Sequence, residues 1–463
     1  MKPTLTRLTQ RLLRPFRGEG LKARAGKGAI WTIGGLITGQ ALRLASNLIL
    51  TRLLFPEAFG MMALVQVFIT GLAMFSDLGI RASIIQNDRS HDHAFLNTAW
   101  SLQIMRGLVL WLFSCAIALP VAAFYSEPML AALLPVAGLT ALIAGFTPTR
   151  VATANRDLQM GRITLLDILG QAVGIVAMIA LAVALQSVWA LVFGAVLGAL
   201  ARQVLLMAAL PGHRNRLQIE VPALRALIGF GKWVFLSTAF GFLINHADRA
   251  VLGKFITLEM LGIYSIGFFL ASVPLLLGRP LAGKIVFPLY KQRPPWESAE
   301  NRRKIFAMRR LLTGALLSLS AVLVLAGDWL VGMLYDPRYA LAGPILVLLV
   351  ISQLPVVILS SYDQILLAAG DSRRFMTRVA SNAAVQTGLM IFGVMQFGVI
   401  GAILAPGVAA LVVYPLLISA VRRYDGWDRG HDAIYGAVAL GIAALGLWIN
   451  HDAISLLIVQ ALG

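Results

Sequence analysis

Residues 161–210 read GRITLLDILGQAVGIVAMIALAVALQSVWALVFGAVLGALARQVLLMAAL. The polar pair Gln186 and Ser187 divides this stretch into two apolar runs, and the whole stretch holds only three charged residues. A helix needs about 20 predominantly apolar residues to cross the hydrocarbon core of a bilayer. The stretch therefore predicts two transmembrane helices, at 161–185 and 188–210.

The same pattern continues through the 463 residues of the chain. Hydrophobic residues make up 59% and charged residues 13%, against about 45–50% and about 25% in soluble domains. The mean hydropathy is +0.81. The composition predicts an all-α polytopic membrane protein. Its other spans are expected near 28–52, 57–81, 94–119, 128–147, 226–253, 258–279, 305–326, 341–365, 376–396, 399–421 and 433–450.

The formal charge of +18 is concentrated between these runs. Clusters of Lys and Arg in alternate loops are typical of the cytoplasmic side of a membrane protein, so the charge does not indicate a nucleic-acid partner. The basic segment 1–27 and the basic loops are then cytoplasmic. The outer loops keep only Arg52, Arg249, Lys254 and Arg338.

A weak internal repeat appears when the chain is shifted by about 202 residues against itself. ILTRLLFPEAFG at 49–60 then lies over VLGKFITLEMLG at 251–262. The shift pairs Trp31 with Trp233, Leu50 with Leu252, Arg52 with Lys254, Glu57 with Glu259 and Gly60 with Gly262.

Six spans in each half, together with the repeat, predict two parallel six-helix bundles at 28–210 and 226–421. Such halves are related by a pseudo-two-fold axis along the membrane normal, and transporters of this kind bind substrate where the halves meet. A cytoplasmic linker, 211–225, joins them. Residues 422–463 hold a cytoplasmic loop, the thirteenth span and a tail too short for a complete fourteenth.

Motifs for covalent or metal chemistry are absent from the sequence. No phosphate-binding loop, HExxH, CxxC or G-x-S-x-G motif occurs. The only cysteine is Cys115, and the six histidines lack metal-ligand spacing. We therefore expect no enzyme, no metal and no cofactor, with transport driven by a Na⁺ or H⁺ gradient or by the gradient of the substrate.

Five polar residues are placed within the predicted spans: Arg43, Arg106, Asn245, Asp248 and Arg249. Charged side chains are costly at this depth and usually face a cavity or one another. Because the planar guanidinium suits phosphate groups, these residues predict a cationic substrate-binding cavity between the halves. Structural pairing is the alternative, for instance Asp248 neutralising a neighbouring arginine.

Two acidic residues are weaker candidates for ion coupling or gating. Asp77 precedes Arg81 by four residues, so an ion pair on one helix face explains it equally well. Asp363 lies near the cytoplasmic end of its span, where a charged group is less costly.

Four segments carry a resemblance to a known family: LASNLILTRLLFPEAFGMMALVQVF at 44–68, FSDLGIRASIIQ at 75–86, AFYSEPML at 123–130 and NHADRAVLGKFITLEMLGIYSIGFFLASVP at 245–274. The chain resembles the Wzx-type oligosaccharide flippases. These form the polysaccharide-transporter branch of the multidrug/oligosaccharidyl-lipid/polysaccharide (MOP) superfamily.

The resemblance implies a MATE-like fold of two six-helix bundles in the bacterial inner membrane. It implies that undecaprenyl-pyrophosphate-linked oligosaccharide units move from the cytoplasmic to the outer leaflet by alternating access. The products would be O-antigen of lipopolysaccharide, capsule or exopolysaccharide, and a polymerase or export machinery would be the partner. Cationic residues on spans one and seven line the cavity in relatives, which implies such a role for Arg43 and Arg249.

Two other functions stay open from the sequence. A MATE-like exporter of drugs or small molecules has the same fold, although buried arginines disfavour cationic substrates. A polytopic polysaccharide polymerase or ligase would need a catalytic outer loop, and the longest outer loop, 327–341, holds little beyond Asp328, Asp336 and Arg338.

Overall fold

Several helices begin directly after a polar side chain that caps them. Asp92, Ser298, Asp371 and Asp428 each precede a helix and accept a hydrogen bond from a backbone N–H of its first turn, at 2.9–3.1 Å. Such caps satisfy amides that have no partner within the helix. The apolar runs that follow supply the long helical segments.

The protein is represented by a computed structural model that describes residues 21–76, 79–86, 89, 92–157 and 159–462. All regular structure in these residues is helical. The α-helices are α1 (Leu21–Leu53), α2 (Pro56–Phe75), α3 (Ile80–Gln86), α4 (His93–Tyr125), α5 (Leu130–Gly145), α6 (Arg150–Arg156), α7 (Met160–Leu185), α8 (Trp189–Ala209), α9 (Val221–Phe255), α10 (Leu258–Ala271), α11 (Val273–Leu281), α12 (Phe287–Gln292), α13 (Ala299–Leu334), α14 (Ala342–Leu359), α15 (Asp363–Ala368), α16 (Ser372–Arg422), α17 (Arg429–Ile449) and α18 (His451–Leu462).

Nine helices within the described ranges are long and apolar enough to cross a membrane. The number rises to eleven if each of two bent helix pairs forms one span. The bends are 59° between α5 and α6 and 42° between α10 and α11. These helices confirm the prediction of an all-α, multi-pass membrane protein.

A sharp turn divides α16 into the two spans predicted at 376–396 and 399–421. Gly398 has φ of 56° and ψ of −141°, a backbone conformation open to glycine and strained for other residues. Beyond it, Gly401 lies so close to Gly393 that a Cβ on either would collide with the backbone of the other. Since eight residues cover about 12 Å in a straight helix, this contact requires the chain to reverse at Gly398.

The residues form two compact units. Unit 1 contains the residues up to Leu54 and Phe68–Thr238, and unit 2 contains Phe55–Val67 and the residues from Ala239 onward. The first turns of α2 therefore belong to unit 2. There the Phe59 ring packs edge-on against Tyr339, with centroids 5.7 Å apart.

In unit 1, residues 211–220 run beside α4 as an ordered linker strap. Three backbone amides of the strap donate to side chains of α4 at 2.9–3.0 Å: Arg216 to Asn97, Gln218 to Ser101, and Glu220 to Thr98. The Glu220 carboxylate also accepts from Arg89 at 2.8 Å. The predicted linker is thus fixed to the start of the third predicted span.

In unit 2, a buried polar cluster joins α13 to the start of α17. The fully buried Arg309 donates to the Gly426 carbonyl at 2.7 Å and to the Tyr290 hydroxyl, and its guanidinium lies 3.9 Å from the Tyr362 ring centroid. Tyr362 in turn donates to Asp432 at 2.7 Å. Because nearly every polar atom has a partner, this cluster stabilises the fold.

Candidate functional site

Arg43 is an exposed residue of α1. It makes no hydrogen bond or ion pair with any residue that the structure describes. One turn earlier, the Gly39 carbonyl accepts from the Gln171 side chain at 2.9 Å, which fixes this part of α1 on α7. Helix α1 therefore presents a cationic group whose N–H donors are available to a ligand.

The Arg106 side chain of α4 is hydrogen-bonded to the C-terminal end of α2. Its Nη2 donates to the Ala73 carbonyl at 2.7 Å, and its Nε donates to the Ser76 hydroxyl at 3.0 Å. A cation is favourable at a helix C-terminus, where carbonyl groups lack helical partners. This contact gives Arg106 a structural role, and its predicted role in substrate binding stays a prediction.

Asn245 of α9 orients Arg279, the last residue of the span predicted at 258–279. Arg279 belongs to the bent helix pair α10 and α11, and its Nη1 donates to the Asn245 Oδ1 at 2.6 Å. The Asn245 amide nitrogen donates to the Gly241 carbonyl at 2.6 Å, which fixes the direction of the amide. Arg279 is nevertheless exposed.

Asp363 forms an ion pair close to Arg279. Its Oδ2 accepts from Arg378 Nη1 of α16 at 2.7 Å, and it also interacts electrostatically with Arg279. Within the described ranges, the Asp363 Oδ1 has no hydrogen-bond partner. Nearby on α16, Gln386 donates to the Ile244 carbonyl of α9 at 3.0 Å. Unit 2 thus contains a polar cluster, Asn245, Arg279, Asp363, Arg378 and Gln386, within apolar helices.

Sequence analysis missed Arg279 and Arg378 as site residues because each is close to the predicted end of a span. Helix α10 bends at Ser272 and continues through α11 and a π-helical turn, Ala282–Val286, into α12. A π-helical turn often marks a functional site. Pro274 and Pro280 on both sides of Arg279 are the signals that could have indicated a bent helix.

Asp248 and Arg249 face α10 with different partners. The buried Asp248 accepts from the Tyr264 hydroxyl at 2.9 Å, and none of the residues that the structure describes donates a hydrogen bond to its second oxygen. The Arg249 guanidinium lies 4.3 Å from the Phe268 ring centroid. Neither residue forms an ion pair within the described ranges, so the alternative of an Asp248–arginine pair is not observed.

Asp77 lies outside the described residues. Its predicted role in coupling or gating therefore stays a prediction, as does that of Asp363. In the part of the chain that the structure describes, no group of three or more His, Cys, Asp or Glu side chains is placed to hold a metal ion.

Comparison with known proteins gives similarities in sequence and in structure. The model of the family described as polysaccharide biosynthesis protein matches residues 49–344. The teichuronic acid biosynthesis protein TuaB of Bacillus subtilis (strain 168) is 22% identical over 298 residues, which are 64% of this chain and 61% of that protein. The chain therefore aligns with less than two thirds of this relative.

Solved structures of other proteins are similar to this chain in fold. A lipid II flippase, MurJ, in an inward closed conformation has a TM-score of 0.66 at 12% identity, covering 92% of this chain and 99% of its own. An inward-facing multidrug resistance MATE family transporter of the MOP superfamily has a TM-score of 0.64 at 13% identity, covering 83% and 95%. The MATE-like fold expected from the sequence is confirmed.

Proposed function

The chain belongs to the polysaccharide biosynthesis protein family, and we propose that it is a flippase for undecaprenyl-pyrophosphate-linked oligosaccharides. It moves them by alternating access from the cytoplasmic to the outer leaflet of the bacterial inner membrane. No covalent step is needed, because the substrate leaves with the same bonds with which it entered.

One observation carries this proposal: among the described residues, no carboxylate is hydrogen-bonded to three arginines of the predicted spans. Among the described residues Arg43 has no polar partner, Arg249 contacts an aromatic ring, and Arg279 is held by an amide oxygen. An arginine at membrane depth is costly unless it is paired or reaches water or a ligand. A substrate anion would supply that missing partner.

A pyrophosphate fits these groups chemically. Arginine presents a planar fork of N–H donors that binds phosphate oxygens through two parallel hydrogen bonds. The pyrophosphate and the acidic sugars would bind to arginines of this kind, and the polyprenyl chain would remain among the lipid tails.

Asp363 provides a way to release a bound pyrophosphate from Arg279 in unit 2. Arg279 is bonded to the neutral amide of Asn245, so it can transfer to an anion without breaking an ion pair. Asp363 already attracts Arg279 electrostatically and has one oxygen without a hydrogen bond. We propose that Asp363 competes with the pyrophosphate for Arg279, which makes Asp363 a gating residue.

An exporter of small molecules is the second candidate, and one observation favours it. Among the described residues, the buried Asp248 has one carboxylate oxygen without a hydrogen-bond partner, and the cationic group of a transported small molecule would supply that partner. The two candidates differ in their substrates, because an exporter of cationic drugs gains nothing from unpaired arginines.

Transport by proteoliposomes tests the flippase proposal. Purified protein is reconstituted with a fluorescent undecaprenyl-pyrophosphate oligosaccharide, and an impermeant quencher reports its movement between leaflets. We expect Arg43→Gln, Arg249→Gln and Arg279→Gln each to lower the rate about 10- to 100-fold, the range for a charge-assisted hydrogen bond.

Arg373→Gln is the matched control. Arg373 is an exposed arginine at the start of α16, and its replacement makes the same charge change outside the site. A wild-type rate in all three test variants would refute the cationic site. Transport of cationic dyes without transport of the lipid-linked sugar would support the exporter instead.

A further inference from the structure

The first turns of α13 form a basic pocket. Its volume is about 340 Å³, and it is lined by Ala299, Arg302, Arg303, Phe306, Ala307 and Arg310. Spacings of three and four residues place these side chains on one face of the helix. The pocket therefore combines three guanidinium groups with one aromatic side chain at the polar end of a membrane helix.

The three arginines of the basic pocket have different partners. Both Nε and Nη2 of Arg310 donate to Asp428, at 3.1 and 3.0 Å, which holds that side chain in place. Arg302 lies 3.6 Å from an Asp425 oxygen. Arg303 is exposed and has no hydrogen bond or ion pair with the residues that the structure describes. The pocket thus carries one cation that is not neutralised.

An exposed stripe continues from this pocket along α13. After Arg303 and Ala307 it runs through Leu311, Val322 and Trp329, which are 68%, 60% and 65% exposed. Leu311 to Trp329 covers about 27 Å of helix, close to the thickness of about 30 Å for a hydrocarbon core. The basic pocket then lies at the headgroups, and Trp329 lies at the opposite interface, where tryptophan is enriched.

We propose that the basic pocket binds the headgroup of an anionic phospholipid whose acyl chains lie along the exposed stripe. Charge complementarity selects the headgroup: a phosphate gives Arg303 the partner that it lacks, and a zwitterionic headgroup brings an additional cation next to Arg302 and Arg310. Basic pockets at the membrane surface are known sites for such lipids. The site is separate from the transport arginines and needs no transported substrate.

Lipid binding to the purified full-length protein tests this proposal. Native mass spectrometry measures the affinity for phosphatidylglycerol and for phosphatidylcholine. We expect phosphatidylglycerol to bind more tightly, and Arg303→Gln to weaken its binding about fivefold, the effect of one basic residue at an anionic surface. Ala307→Glu, on the exposed stripe, should produce a similar loss because it places a carboxylate beside the phosphate.

Arg373→Gln is the control here also, since it removes an exposed arginine from another helix and should leave lipid binding unchanged. Equal affinity for the two phospholipids, or unaltered phosphatidylglycerol binding in both pocket variants, would overturn the proposal. Displacement of the lipid by inorganic phosphate at equal concentration would also overturn it, because it would indicate a site for a soluble anion. All these results are independent of flippase activity.

Discussion

Gly60 of α2 and Gly262 of α10 lie against each other's backbone. A Cβ added to Gly60 would meet the Gly262 amide nitrogen at 3.1 Å and collide with the Leu258 carbonyl. A Cβ added to Gly262 would meet the Gly60 amide nitrogen at 3.0 Å and collide with the Pro56 carbonyl. The contact is reciprocal, and the weak sequence repeat pairs the same two residues.

Replacing Gly262 by alanine should destabilise the protein. The added methyl group would meet backbone atoms of α2, which cannot rotate away as a side chain could. Overpacking of this kind costs about 1–3 kcal/mol, so we expect a lower thermal midpoint for Gly262→Ala, measured by fluorescence-detected size exclusion. Gly60→Ala should have the same effect because the contact is reciprocal.

Gly332→Ala in α13 is the control for this prediction. No heavy atom lies within 4 Å of a Cβ built there, and alanine favours a helix over glycine by about 1 kcal/mol. Its thermal midpoint should stay the same or rise. If Gly262→Ala is as stable as Gly332→Ala, the crossing of α2 and α10 is looser than described.

Arg106→Met should lower both stability and polysaccharide export. The change removes the hydrogen bonds that the guanidinium donates to the Ala73 carbonyl and the Ser76 hydroxyl, and a hydrogen bond to a charged group contributes about 1.5–3 kcal/mol. Arg43→Met, at an exposed position, should lower export alone. The measurements are the thermal midpoint and the amount of exported polysaccharide for each variant.

A different outcome would assign Arg106 to the substrate. If Arg106→Met melts at the wild-type temperature and yet exports nothing, the contact with α2 contributes little to folding. Arg106 would then act as the sequence analysis predicts, within a cationic cavity.

His213 should make the fold less stable in mild acid. Its imidazole stacks on His93 with ring centroids 4.2 Å apart, and burial, His93 and Arg216 lower the pKa of His213 below the 6.5 usual for histidine. Below about pH 6.5, His213 therefore binds a proton more readily in the unfolded chain than in the folded protein. The free energy of unfolding falls as a result. The thermal midpoint should decrease between pH 7.5 and pH 5.5, and the decrease should be smaller in His213→Gln.

His451→Gln provides the comparison, because His451 is an exposed histidine at the start of α18. It should retain the wild-type dependence on pH. If His213→Gln retains it as well, the linker strap does not respond to acid through this residue.

The fold was predictable because the lipid environment largely determines which segments of a membrane protein are helical. A run such as 161–185 must be helical in lipid, where its backbone polar groups have no water to bond, and α7 begins and ends within a residue of that range. The two-bundle boundaries, at 28–210 and 226–421, stay a prediction.

The candidate site was less predictable because it depends on contacts between helices. Hydropathy places Arg279 at the end of a span, and only the bend before α11 brings it to Asn245. Arg106 and Arg43 lie at similar depths within their predicted spans, so the sequence cannot distinguish their roles. In the structure Arg106 contacts a helix end, and Arg43 has no partner among the described residues. The charged residues within the predicted spans could be recognised as candidates from the sequence. Their partners could be assigned only from the structure.

The turn at Gly398 has a consequence for biogenesis. No charged residue lies between Arg378 and Arg422, so the two halves of α16 are joined without a polar loop that could remain in water. The translocation machinery releases a span into lipid according to its hydrophobicity. The two spans of α16 reach this machinery without a polar loop between them. We expect the two halves to leave the machine together, as a preformed hairpin, with both ends of the segment on the same side of the membrane.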